Sequence, residues 1–268
     1  MPDESQRRWV DSMSEAYDRW MVPTVFRPFA LEMARRIGAR RPRRILELAA
    51  GTGVLTREIL ATTGTADVTA TDLNEAMVEC GRKNVPDATW QSADALELPF
   101  DDGRFDVIAC QFGVMFFPDK RKAHAEARRV LEPDGSYFLT SWGAIDGHEF
   151  ETAVVAALEH LFPDDPPRFL QSVPHGYADL AVIVADLQAG GLEPVSAETV
   201  ALEGQMASAV DLATGYCTGT PLRAQIEARG GDPAAAIVVV AEELERRLGA
   251  GPVAGRMTAH VVEAAPAL

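Results

Sequence analysis

A chain of 268 residues can hold one large domain or a domain with an appendage, and its 47% hydrophobic and 24% charged residues are ordinary globular values. A net charge of −15 repels phosphate backbones and argues against a nucleic-acid partner. No stretch approaches the ~20 apolar residues of a membrane span, and the opening Met-Pro-Asp-Glu-Ser is no signal peptide, so a soluble, cytoplasmic protein is expected. Cys80, Cys110 and Cys217 show no metal-ligand spacing, which predicts reduced thiols and no bound metal.

In chain order, apolar and aromatic residues at three- and four-residue steps (Trp9, Met13, Tyr17, Trp20, Met21) predict helix over 5–38, broken into two pieces by Pro23 and Pro28. The second piece, Val25 to Ile37, runs into Arg35, Arg36, Arg40, Arg41, Arg43 and Arg44, which read as a solvated helix end rather than an anion site. Residues 44–48 read as a buried strand that enters a Gly-x-Gly turn at Gly51–Gly53, and a helix follows over 53–62. Gly51 and Gly53 are needed there because a β-carbon would block a ligand's approach to the backbone. Further strands are expected at 67–72, 88–91, 105–110 and 136–142. Helices are expected from Asn74 to about Asn84 and from Ala123 to Leu131, the latter stopped by Pro133 and Gly135. Strands and helices alternating at this interval imply a parallel sheet with right-handed crossovers. Beyond Trp142 the pattern loosens into helices at 149–162 and 177–189, a strand at 192–202, helices around 207–228 and 233–248, and a last strand at 253–263.

The pattern asks for a nucleotide-like cofactor. Asp72, 21 residues after Gly51, ends the second strand where a ribose diol would be held. The third glycine of a dinucleotide turn would fall at 56, which is Thr56, so packing under a pyrophosphate is not provided. Glu47 would repel a pyrophosphate but suits the cationic amino-acid end of S-adenosylmethionine. Asp94, in Ser-Ala-Asp-Ala at the end of the third strand, stands where an adenine amino group could be read.

Leu-Glu-Leu-Ala-Ala-Gly-Thr-Gly at 46–53, Ala-Thr-Asp-Leu-Asn at 70–74, Ala-Asp-Ala-Leu-Glu-Leu-Pro-Phe at 93–100, the run Phe105–Asp119 and Arg-Val-Leu-Glu-Pro-Asp-Gly at 129–135 resemble the ordered motifs of class I S-adenosylmethionine-dependent methyltransferases. Within that class they are most similar to the small-molecule group that includes ubiquinone and menaquinone C-methyltransferases. The resemblance covers 44–142 well and the flanks in outline. It implies an α/β, Rossmann-like, doubly wound seven-stranded sheet whose last strand is antiparallel, with N-terminal lid helices (1–42), a cofactor-binding core (43–203), a helical insertion covering the acceptor site (204–252) and a final strand (253–268). It places Glu47, Ala49, Gly51 and Gly53 around the methionine moiety, Asp72 and Leu73 at the ribose and adenine, Asp94 and Ala95 at the adenine, and Gln111 beside the cofactor. Ala49 departs from the glycine many members carry and predicts a slightly shifted loop. Tyr17 and Trp20 would face the cofactor from the lid.

Each residue has a duller role. Asp72 and Asp94 can serve turns, Glu47 can pair with a nearby arginine, and Gln111 can satisfy backbone groups. Phe112, Met115, Phe116 and Phe117 read as core before substrate wall. The expected chemistry is in-line methyl transfer to a small-molecule acceptor through O, N or C, giving S-adenosylhomocysteine. A general base is needed only where the acceptor must lose a proton, and the candidates are His148, His175 and Tyr177. The competing readings are a non-catalytic or repurposed S-adenosylmethionine binder, a tRNA or protein methyltransferase, and, third, a dinucleotide oxidoreductase. The acidic balance and the lack of an Asn/Asp-Pro-Pro-Tyr motif weigh against the macromolecular acceptor. The sequence fixes neither the acceptor nor the oligomeric state, and a homodimer is among the states it allows.

Overall fold

The computed structural model describes residues 15–267. Its helices are α1 (Tyr17–Phe26, of π type), α2 (Arg27–Ala39), α3 (Val54–Thr63), α4 (Glu75–Asn84), α5 (Lys120–Val130), α6 (Glu149–Leu161), α7 (Phe169–Ser172), α8 (Leu180–Ala189), α9 (Ala209–Gly219), α10 (Leu222–Ala228) and α11 (Pro233–Leu248). Its strands are β1 (Arg44–Glu47), β2 (Asp67–Asp72), β3 (Thr89–Ser92), β4 (Phe105–Gln111), β5 (Leu131–Trp142), β6 (Leu192–Met206) and β7 (Val253–Pro266). They form one seven-stranded sheet in the order β3-β2-β1-β4-β5-β7-β6. β1 to β5 are parallel, and β7 runs antiparallel to β5 from Tyr137↔Ala264 to Trp142↔Ala259. This is the doubly wound α/β sheet with a reversed last strand that the sequence predicts.

The chain divides into two compact units. One comprises Phe29–Gly143, Tyr177–Val200 and the chain from Ala259 onward. It is built on the parallel strands, and Ile45, Leu46, Ile108, Ala109, Phe138 and Leu139 are buried in its core. Polar caps start its helices where the sequence offers them: Asn74 accepts the Ala76 amide at α4, Asp119 the Lys122 amide at α5, and Asp179 the Ala181 amide at α8. The other unit comprises, among the described residues, 15–28, Ala144–Gly176 and Ala201–Thr258. It is mostly helical. α11 packs on α6 and α9, α9 packs on α1, and Phe150, Leu212, Tyr216 and Leu244 are buried within it.

Several local expectations need correction. Pro23 does not break the first helix, because the wider π turns of α1 accommodate a residue with no amide hydrogen to give. Pro28 falls in the first turn of α2, which follows α1 directly. Trp9 and Met13 lie outside the described residues. Pro133 and Gly135 sit inside β5: the register jumps from Phe105↔Leu131 to Val107↔Ser136, and the residues between loop out of the ladder, where a proline costs no hydrogen bond. Tyr177 precedes its helix, which begins after the Asp179 cap. Thr220-Pro221 divide the expected 207–228 helix into α9 and α10. The arginine run stays at the surface as expected, and much of it pairs with carboxylates there. Arg36 meets Glu32 and Glu198, Arg40 meets Glu263, Arg43 meets Asp106, and Arg44 meets Glu132.

Candidate cofactor site

The sheet order reverses between β1 and β4, and a crevice outside the carboxyl ends of these strands is where open α/β sheets take their ligands. Glu47, Ala49, Gly51, Gly53, Asp72, Leu73, Asp94, Ala95 and Gln111 all stand at the carboxyl ends of β1 to β4 or in the turns that leave them.

The turn after β1 is pinned at both sides. The Leu48 amide donates to the Ala109 carbonyl at 2.8 Å and the Ala50 amide to the Thr71 carbonyl at 2.9 Å. The backbone enters the left-handed region at Ala49 (φ 52°), between these anchors, and again at Gly51 (φ 57°) and Gly53 (φ 91°) beyond them. At Gly51 a β-carbon would meet nothing within 4 Å, so the requirement there is backbone conformation. At Gly53 a β-carbon would also lie 3.0 Å from Trp90 and Val85, so the glycine serves packing as well. Ala49 tolerates a conformation that glycine would hold without strain. Its methyl group faces Gly113, where an added β-carbon would come within 2.5 Å of it. The alanine that departs from the motif is therefore matched by a glycine on the neighbouring turn.

Asp72 braces this loop. Its Oδ2 accepts the Gly51 amide and its Oδ1 the Asn74 amide, both at 2.9 Å. Burial pushes the Asp72 carboxyl up, and these backbone amides pull against that shift. Ser92 is its register partner on β3, and the Ala93 amide donates to the Asp72 carbonyl, which brings the 92–95 turn alongside. Within that turn exposed Asp94 accepts the Leu96 amide at 2.9 Å, the turn-capping role. Leu73, at the tip of the β2 turn, is 71% exposed, an unusual position for a leucine.

Glu47 is buried and accepts a 2.6 Å hydrogen bond from the Thr56 hydroxyl. Burial raises its carboxyl to about 8, the Thr56 bond opposes the rise, and the nearby Asp72 charge adds to it. No arginine reaches it among the described residues. The two features that spoke against a dinucleotide separately, a glutamate in the strand and a threonine in place of glycine, are thus one hydrogen-bonded pair. This carboxyl therefore holds its proton well above the usual carboxylate range. A ligand ammonium placed beside it would take the proton's role.

Gln111 is buried at the end of β4, paired in register with Thr140. Phe112 follows at φ 52° and stacks on Trp142 with ring centroids 3.5 Å apart, and Phe29 packs edge-on against both rings. Phe112 and Met115 are therefore core, whereas Phe116 is 55% exposed.

The remaining candidates separate. Tyr17 and Trp20 belong to the helical unit, where Tyr17 packs on Phe26 and Arg19 lies over the Trp20 ring. Tyr177 is committed to a carboxylate of its own unit. It lies in the sheet unit, its hydroxyl donates to Asp186 at 3.0 Å, and burial together with that carboxylate pushes the phenol up, so it is a poor base. His148 and His175 come together in the helical unit, with ring centroids 4.4 Å apart. The sequence reading missed their third member, Glu151. Its Oε2 lies 3.6 Å from His148 Nδ1, and its Oε1 accepts the Tyr216 hydroxyl at 2.6 Å. Burial works to raise this carboxyl, but His148, His175 and Tyr216 outweigh it and hold it below the usual carboxylate range. The signal that could have found it is a glutamate three residues after His148, on the helix face that carries Phe150 and Val154.

The sheet and its glycine turn define a Rossmann-like α/β protein. Residues 45–135 match the family model described as a methyltransferase domain. The chain is 30% identical over 191 residues to the ubiquinone/menaquinone biosynthesis C-methyltransferase UbiE of Stutzerimonas stutzeri, covering 65% of this chain and 73% of that one. It is 36% identical over 132 residues to the UbiE protein of Idiomarina loihiensis, covering 47% and 49%. The match thus spans about half the length of several of these relatives. Among solved structures, the Haemonchus contortus phosphoethanolamine N-methyltransferase 2, in complex with phosphomonomethylethanolamine and S-adenosylhomocysteine, shares the fold with a TM-score of 0.62 at 17% identity, over 98% of this chain and 59% of that one. The chain belongs to the class I S-adenosylmethionine-dependent methyltransferases. The cofactor of this family is S-adenosylmethionine.

Proposed function

We propose that this chain transfers the methyl group of S-adenosylmethionine to a small-molecule acceptor. The observation that carries the proposal is the Gly51 loop held by Asp72, with the buried Glu47–Thr56 pair beside it. In this reading the Asp72 carboxylate keeps lone pairs for the ribose hydroxyls while bracing the loop, and Leu73 packs against the adenine. Asp94 and Ala95 meet the adenine edge, Glu47 receives the ammonium of the methionine moiety, and Gln111 lies beside the cofactor. Transfer from a sulfonium is an in-line displacement in which positioning supplies much of the rate, so the chain's task is to hold donor and acceptor aligned. The names of the relatives make a quinone-type ring carbon the first acceptor class to test.

The test is incubation of the purified protein with S-adenosylmethionine and a panel of demethylated quinols, hydroxylated aromatics and primary amines, with S-adenosylhomocysteine and the methylated product measured by mass spectrometry. The expected result is stoichiometric formation of both from one acceptor class, lost in Asp72→Ala. Binding of S-adenosylmethionine with no product from any class would favour a cofactor-binding protein that does not transfer the methyl group.

A further inference from the structure

The cluster of His148, Glu151 and His175 is built from two elements of one unit. His148 caps α6, Glu151 lies in its first turn, and His175 follows α7. One ligand atom from each of the three lies within 4.8 Å of the others, and all three side chains are at least nine-tenths buried. Two imidazole nitrogens and one carboxylate oxygen bonded to a common ion at ~2.0–2.2 Å would stand about 3.4 Å apart in a tetrahedron. His148 Nδ1 and Glu151 Oε2 already stand 3.6 Å apart. Glu151 Oε2 makes no hydrogen bond of ordinary length among the described residues and faces His148 Nδ1 across that 3.6 Å gap.

We infer that His148 Nδ1, Glu151 Oε2 and His175 form a binding site for a divalent transition-metal ion of the zinc class. The donor set of two imidazoles and a carboxylate suits such an ion better than calcium or magnesium, which prefer oxygen alone. The surrounding groups are those that orient metal ligands. The Tyr216 hydroxyl holds Oε1 at 2.6 Å and so turns Oε2 toward the histidines. With Nδ1 on the ion, His148 Nε2 carries the ring proton and donates it to Thr258 Oγ1 at 3.2 Å, while the Thr258 amide, 3.4 Å away, gives up a weak acceptor. Three protein ligands leave a fourth position for water or a ligand oxygen. The ion would fasten the segment after α7 to the start of α6.

The experiment uses tag-free, chelator-treated full-length protein titrated with Co²⁺, followed by visible absorption, and with Zn²⁺, followed by calorimetry. The expected result is one equivalent of Co²⁺ giving the intense ligand-field bands of a low-coordinate site, displaced by Zn²⁺, with a higher melting temperature in the loaded protein. Glu151→Gln, which keeps an acceptor for Tyr216, and His175→Asn should each weaken binding by more than the ~10–100-fold that loss of an outer partner costs. His160→Asn, on the exposed end of α6, should leave it unchanged. X-ray absorption of the loaded wild-type protein, which depends on no variant folding, should show two imidazole ligands. The absence of saturable uptake, undiminished uptake by a folded Glu151→Gln, or a first shell without imidazole would overturn the site and leave the cluster a hydrogen-bonded proton array only.

Discussion

Two buried glutamates, one at the end of β1 and one in the first turn of α6, are treated in opposite ways. Glu47 has a single hydroxyl donor and a carboxylate neighbour, and its carboxyl is pushed up to about 8. Glu151 is as deeply buried, yet it has two histidines and a tyrosine around it and is held below the usual range. Burial alone does not set the charge of a carboxyl. What decides it is whether the surrounding chain supplies compensation. Around Glu151 the protein supplies it. Around Glu47 it supplies little, which leaves the electrostatic vacancy that a cationic ligand would fill.

The largest effect that would break this comparison lies at Glu151. Glu151→Leu strands the Tyr216 hydroxyl and takes the carboxylate from beside His148 in a closed core, and it should destabilise the protein by ~1–3 kcal/mol in thermal or urea unfolding. A cost below ~1 kcal/mol would mean that the cluster's partners are readily replaced by water.

At Glu47 the expected sign is reversed. The native carboxyl binds its proton up to about 8 while the unfolded one releases it near 4.5. Between those values the native state holds more protons, so Glu47 makes the ligand-free protein less stable as pH rises through that window and no further above it. Glu47→Gln should remove this dependence and stabilise the ligand-free protein at pH 8 by ~1–3 kcal/mol. The same substitution should weaken S-adenosylmethionine binding by ~10–100-fold, the worth of a charged hydrogen bond. In the wild type, binding should tighten as pH rises toward 8 and release a proton. Calorimetry in buffers of different ionisation enthalpy reads that proton directly.

The smallest effect concerns Ala49. Ala49→Gly relieves a left-handed alanine and should stabilise the protein by up to ~1 kcal/mol, after the larger entropy loss of glycine is subtracted. Gly113→Ala should be clearly destabilising in the wild type, where its β-carbon meets the Ala49 methyl group at 2.5 Å, and milder in the Ala49→Gly background. Additive effects in that double-mutant cycle would show that the two turns do not compensate each other.

What could be read from the sequence follows the range of the interactions. β1, its glycine turn and α3 are contiguous and carry a motif, so they are legible, as are the alternation of strands with helices and the position of Asp72 at the end of β2. The Glu47–Thr56 bond joins a strand to a helix nine residues on, and the sequence shows its two ends without the link. Pro23 reads as a breaker because the π hydrogen-bonding of α1 leaves no mark in apolar spacing. His148 and His175 are visible one at a time, but the sheet unit's Tyr177 resembles them equally well in sequence, and only folding sends it to Asp186. Glu151 is hidden by the helical period itself, which marks its face as apolar.

Binding of S-adenosylmethionine by the Gly51 loop, braced by Asp72, is open to direct measurement. Calorimetric titration of the wild type and of Asp72→Ala with S-adenosylhomocysteine and with NADH tests it most directly. The expected result is saturable, one-to-one binding of S-adenosylhomocysteine by the wild type, weakened ~100-fold or more in Asp72→Ala through the loss of charged hydrogen bonds to the ribose and the loop, and no binding of NADH. Saturable binding of NADH with none of S-adenosylhomocysteine would contradict it.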